Sequence, residues 1–334
     1  MGIFVETGGI PRNSELLTST ANMPPSQENV TQLPYPSLVF YGSARTNTAL
    51  LYSVICVVSL ALHTVFIYGV RNLCGWRSNF CFTLLLVVSL MCVIRYATEL
   101  IASLTSLFYL DWIKYQDLWA GFGAFAFAPY FTIMILNIAL TVHRLAYTAF
   151  PLTASSYLNK FVLQGTLLTI FLFFMSILLA MNIGLLGIRW VDAHMTWAIM
   201  KSRNPAVVRL FNSLSNYCIG ILNPCAYTLL FLLLWQRRLI SFKRNHEIRM
   251  TLQVVCMAVC ELFFFLYWEF SQVELDGFWS SIVDETTNLL YFDVLVVPYL
   301  ILNENIRSQI KALKRTNCVH VTRSGISRTN VFIH

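Results

Sequence analysis

The chain has 334 residues, of which 57% are apolar and only 12% charged, with a formal net charge of +7. Soluble domains carry roughly a quarter charged residues and need polar side chains to cover their surface, so this composition argues against a soluble enzyme. With 14 glycines and 10 prolines, the chain is equally unlike a collagen or low-complexity sequence.

What remains is an integral membrane protein, and its pattern is helical. Barrel strands alternate over about ten residues, whereas this chain has continuous apolar runs of about twenty or more. The first 46 residues are polar and contain Pro11, Pro24, Pro25, Pro34 and Pro36, which predicts a disordered tail without a cleavable signal. Asn29-Val30-Thr31 within it is a glycosylation acceptor. Seven predicted spans follow, at 48–70, 80–109, 118–149, 161–188, 208–235, 250–270 and 286–302. At 1.5 Å per residue each approaches or exceeds about 30 Å of hydrocarbon, the seventh being the shortest. The expected architecture is all-α: a tail (1–46), a seven-helix domain (47–303) and a segment (304–334) that opens with an amphipathic helix.

The basic residues orient the bundle. With the N-terminus outside, fifteen Lys and Arg fall on inner segments and seven on outer ones, with Arg95 inside a span. That bias predicts a cytoplasmic C-terminus and a basic rim facing anionic lipid. Nucleic acid needs no part in it. None of the nine cysteines falls in an outer loop, so no extracellular disulfide framework is expected.

Three features carry candidate function. Arg95 and Glu99 lie one turn apart in the outer half of the second span, where ionisable groups are costly and face the bundle interior. With Tyr130 and Phe131 of the third span they are the candidate ligand-binding residues, although a purely structural Arg95–Glu99 pair fits equally well. Glu261 and Asp293 are further acids within spans. After the last span, Ile306, Ile310 and Leu313 form one apolar stripe with Arg307, Lys311, Lys314 and Arg315 beside it. This predicts a helix over 304–316 lying on the inner membrane surface, followed by Cys318 as a candidate palmitoylation site.

Enzyme motifs do not hold up. Gly121-Phe122-Gly123 with Ala126 lacks a preceding strand, and His246-Glu247 is followed by Met250 where a zinc protease needs its second histidine. The literal Asn223-Pro224-Cys225-Ala226-Tyr227 falls in the fifth span, where Pro224 is expected to kink the helix. No catalytic constellation, metal site or cofactor is expected.

Motifs at the inner ends are more informative. The third span closes with His143-Arg144, with Pro151 seven residues after the arginine. The seventh ends Pro298-Tyr299, with Asn303, Ile306 and Arg307 following at fixed spacing. Seven spans with these endings resemble the rhodopsin-like G-protein-coupled receptors. Trp119 stands where many members have a cysteine, His143 replaces the usual acid, Ser89 replaces the second-helix Asp, and span six lacks its usual Trp-x-Pro. That combination, with the lead Arg244-Asn245-His246-Glu247-Ile248-Arg249, is similar to the divergent serpentine chemoreceptors of nematodes, near the Srx-type group. The resemblance covers roughly residues 48–315. It implies a receptor for an extracellular small molecule or peptide that activates a heterotrimeric G protein. His143, Arg144, Pro151, Tyr299, Asn303 and Arg307 would then be the coupling residues. A transporter or channel, or a seven-helix protein that does not signal, stay open as alternatives; neither a repeat between halves nor an even span count favours the transporter.

Overall fold

The computed structural model describes residues 4–5, 40–73, 76, 79–110, 115–150, 153–154, 157–192, 194–199, 205–236, 245–270 and 277–312. The chain is mostly helical. In order it forms α1 (Gly42–Arg71), α2 (Phe80–Leu107), α3 (Gln116–Ala149), α4 (Lys160–Asn182), α5 (Pro205–Tyr217) and α6 (Asn223–Gln236). It continues with α7 (Asn245–Phe270), α8 (Gly277–Val294), α9 (Val297–Leu302) and a last helix, α10, at 304–312. Among the described residues, six helical segments are long and apolar enough to cross a membrane: α1, α2, α3, α4, the α5–α6 run and the α8–α9 run. The expected sixth span is helical as α7 but is not among those six; of its residues 250–270, Glu261 and Glu269 are the charged ones.

The helices form a ring. α1 packs on α2, α2 on α3, α3 on α6, α6 on α7, α7 on α8 and α9, and α8 back on α1; α4 lies outside against α3. The core is aromatic and aliphatic, with Tyr52, Tyr96, Phe127, Tyr130, Tyr291 and Phe292 wholly buried. Large apolar residues such as Val58, Phe161, Leu179 and Phe263 are exposed on the outside, a pattern compatible with a multi-pass membrane protein.

Local chemistry sets several boundaries. The side chains of Asn79 and Asn159 accept backbone N–H bonds at the starts of α2 and α4. α4 stops at Asn182, six residues before the predicted end, because Gly184 takes a left-handed φ of +72° and closes the helix. Within the fifth span, Pro224 cannot donate to the carbonyl a turn earlier, and the preceding Cys218–Leu222 widens into a π-helical turn. The predicted kink is therefore a bulge. The last span starts at Gly277, nine residues before the predicted 286, and breaks between Val294 and Val297 just ahead of Pro298.

The all-α expectation needs correction. Ile188–Val191 (β2) and Thr196–Ile199 (β3) form an antiparallel hairpin, and Phe4–Val5 (β1) pairs in parallel with β3. Phe4 lies opposite Ala198 and Val5 opposite Ile199, so at least this much of the expected disordered tail is ordered. α1 likewise begins inside that tail, at Gly42. Four-residue strands are too short to stand out between two long apolar runs, and tertiary burial decides their structure: Trp190 and Trp197 are sealed in the core.

α10 departs from expectation in its surroundings. Asn303 breaks from α9 and caps α10 by accepting from the N–H groups of Asn305 and Ile306. The apolar stripe does not point only to lipid. Ile306 is wholly buried, and a Cβ placed on Gly69 of α1 would sit 2.9 Å from Ile306 and 3.3 Å from Ile310. The notch at Gly69 thus seats α10 on α1. Leu313 and the rest of the predicted helix to 316 lie outside the described residues. Gly69→Leu is expected to undock α10 at a cost of about 1–3 kcal/mol, the usual range for overpacking. A spin label at position 310 would report it as increased mobility; unchanged mobility would contradict the seat.

Candidate functional site

At the hairpin end, the ring encloses a polar cluster built around Arg95 of α2. Its Nη1 donates to Glu99 Oε2 at 2.9 Å and its Nη2 to Glu285 Oε1 at 3.1 Å. The hairpin completes the cluster from outside: Trp197 Nε1 donates to Glu99 Oε2 at 2.6 Å and Thr196 Oγ1 to Glu285 Oε2 at 3.0 Å. Arg95 is 1% exposed and Glu99 0%. The guanidinium also lies 5.8 Å from the Phe127 ring and 6.0 Å from that of Trp197. The Arg95–Glu99 pair is therefore present, with Glu285 as a second carboxylate on the same cation. Tyr130 and Phe131, the other ligand candidates, pack together in the core at 5.2 Å between ring centroids, and Tyr130 joins Phe292 edge-on. The structure brings Arg95 and Glu99 together, with Phe127 joining them to the Tyr130–Phe131 aromatic group.

A second layer ties the hairpin down. Asp192 accepts from Ser106 and pairs with Arg45 at 2.8 Å, while Trp190 Nε1 donates to Ser106 Oγ at 3.0 Å. Arg45 stacks over Tyr109 at 4.4 Å. The hairpin is thereby bolted to α1, α2 and α8, covering the Arg95 cluster.

Two further polar groups lie within the bundle. Glu261 of α7 is fully buried and accepts from Asn137 Nδ2 of α3 at 2.7 Å and Asn223 Nδ2 of α6 at 3.2 Å. Nearby Thr141 of α3 donates to Tyr227 OH of α6. The Asn223–Tyr227 motif thus acts in helix packing. Asp293 accepts from Ser59 at 2.7 Å and lies 3.4 Å from His63 Nε2, whose other nitrogen lies 3.3 Å from Ser89 Oγ.

At the opposite end, Arg144 of α3 donates to the hydroxyl of Tyr299 in α9, and its guanidinium lies 5.1 Å from that ring. These two candidate residues meet. His143 turns away and stacks flat on Phe80 of α2 at 4.5 Å. Asn303 and Arg307 belong to α10: Asn303 is its cap, and Arg307 faces Glu304 at 3.9 Å on a largely exposed surface. Pro151, Asn29 and Cys318 lie outside the described residues.

Sequence reasoning missed Glu285, Thr196, Trp197, Asp192 and the amide partners of Glu261. Glu285 stood one residue before the predicted seventh span. The alternation Thr196-Trp197-Ala198-Ile199 after a polar turn was the available sign of the hairpin. Among the described residues no group of three or more His, Cys, Asp and Glu side chains is placed to hold a metal ion. The seven described cysteines are free thiols. No protein-family model matches the sequence, and no curated protein matches it.

Proposed function

We propose that this chain is a seven-span G-protein-coupled receptor of the plasma membrane, with its hairpin end outside and its Arg144 end in the cytoplasm. It would be a chemosensory receptor for a small molecule or peptide, resembling the serpentine chemoreceptors. The observation that carries the reading is the meeting of Arg144 and Tyr299 across the ends of α3 and α9. α7, the sixth span on this reading, packs against α6, α8 and α9. An outward swing of α7 would open a cavity between these helices for a partner's helix, and a ligand would drive it only by binding the open state more tightly. The fifteen-to-seven basic bias supports the orientation and an anionic-lipid contact at the cytoplasmic rim. α10 would lie along that rim as an eighth helix.

Arg144 can offer its planar fork to a partner's backbone carbonyls, which Lys reproduces poorly. At the bundle's rim it is partly buried, so replacing it should cost less folding energy than removing a fully buried cation such as Arg95. Arg144→Ala is therefore expected to reach the cell surface yet activate little G protein, with Arg144→Lys intermediate. Normal signalling by Arg144→Ala would defeat the mechanism. Failure to reach the surface would make the residue a folding determinant.

A transporter is the second reading, favoured by the break between α8 and α9 beside the intramembrane acid Asp293. Accumulation of a labelled solute by vesicles containing the protein would support it over the receptor.

A further inference from the structure

The two edges of the hairpin differ. Along β2 the edge is closed by α3: a Cβ placed on Gly123 would lie 2.0 Å from the Ile188 carbonyl oxygen and 2.8 Å from its carbon. That helix leaves no room for a strand beside Ile188. The sheet runs β1-β3-β2, so the edge of β3 away from β2 is the one that takes another strand. Such an edge offers a row of backbone N–H and C=O groups to any extended segment.

The segment seated there is the chain's own N-terminus, and it is held lightly. β1 has two residues, paired in parallel, with Phe4 opposite Ala198 and Val5 opposite Ile199. Among the described residues, the Thr196–Trp197 half of β3 has no strand on this side. Parallel pairs are slightly less stable per residue than antiparallel ones, and two residues make only a short ladder. What favours β1 is its tether: residues 6–41 join it to α1, and loop closure costs grow slowly with length. Tethering raises the local concentration, to the order of millimolar for short linkers, so a free peptide that pairs over more residues can compete. β3 is also the strand that reaches the Arg95 cluster, through Thr196 to Glu285 and Trp197 to Glu99. A segment added to β3 therefore lies one strand away from the link between α2 and α8.

We infer that the free edge of β3 is a binding site for an extended peptide, rich in β-branched and aromatic residues, and that β1 is a built-in competitor for it. The residue types follow from the segment that sits there, since Ile3, Phe4 and Val5 are all strand formers. Main-chain hydrogen bonds supply the affinity, as in other cases where a peptide extends a sheet. The inference deepens the receptor reading by naming the ligand class, and it rests on that reading for the site's place outside the cell.

The test is binding of a fluorescein-labelled synthetic peptide that copies residues 2–8 to the purified full chain in detergent, read by anisotropy. Phe4→Pro with Val5→Pro removes both backbone donors of β1 and should release the tail. Because the free fraction of the site then rises, the peptide should bind roughly tenfold more tightly or better. Phe4→Cys with Ala198→Cys puts thiols at facing positions, so oxidation should cross-link β1 in place and abolish binding. Reductant should restore it, which shows the protein to be folded. A peptide N-methylated at its Phe and Val keeps the side chains but loses two donors, and should bind roughly tenfold more weakly or worse. Failure of the cross-link to form, equal binding by locked and reduced protein, or equal binding of the N-methylated peptide would each overturn the site. So would absence of binding to the double-proline variant. Binding is read without a G protein, so the site and the receptor reading can fail separately. Peptide bound as expected with nucleotide exchange silent would support the site and count against the receptor alone. Odorant-driven exchange with no peptide bound would count against the site alone.

Discussion

Arg95→Ala is expected to be among the most damaging single substitutions in the chain, costing about 3–5 kcal/mol and leaving little protein at the cell surface. The reason is what it strands: Glu99 and Glu285 would stay buried with no cation between them, and each is costly to keep charged there. Arg95→Lys should recover part of the loss, since a point charge cannot span two carboxylates on different helices as a fork does. The combination Arg95→Met, Glu99→Gln and Glu285→Gln should recover more than the sum of its parts predicts, because the three side chains act as one network. Thermal unfolding of the purified variants checks this. An Arg95→Ala protein that melts like the wild type would show the cluster to be energetically idle.

Glu261→Leu is the second large effect. It leaves the amide groups of Asn137 and Asn223 unpaired in the core, at about 1–3 kcal/mol for each. Because these amides come from α3 and α6, the loss also unties α7 from the bundle. Glu261→Gln presents one acceptor and one donor, so it keeps one of the two bonds and should lose about half as much. In a cycle with Asn137→Ala, the double variant should be less damaged than the two singles combined. Strict additivity in that cycle would show that the carboxylate does not bridge the helices.

Legibility in the sequence followed the kind of signal each feature leaves. The long helices and their order came from unbroken apolar runs, which lipid requires and which local sequence records. The Arg95–Glu99 pair was visible because its spacing of four places both residues on one helical face. Glu285 was not, because its link to Arg95 spans 190 residues and depends on how α8 packs against α2. The hairpin was hidden for a related reason: its eight strand residues acquire their structure by burying Trp190 and Trp197 against the ring. Boundaries failed where a single residue overrode the apolar pattern, as Gly184 does at the end of α4. Arg144 and Tyr299 were paired by family resemblance, and the geometry now adds a direct contact between them. His143 followed a different course, since stacking on Phe80 takes it away from the arginine beside it in sequence.

The receptor account stands or falls on nucleotide exchange. The full chain, reconstituted in lipid vesicles with a panel of purified heterotrimeric G proteins, should accelerate guanine-nucleotide exchange on at least one of them. Pools of small odorants and peptides applied from the hairpin side should raise that rate further, and Arg144→Ala vesicles with equal protein content should stay near the rate of empty vesicles. Exchange no faster than in empty vesicles for every heterotrimer, with every pool, would contradict the account.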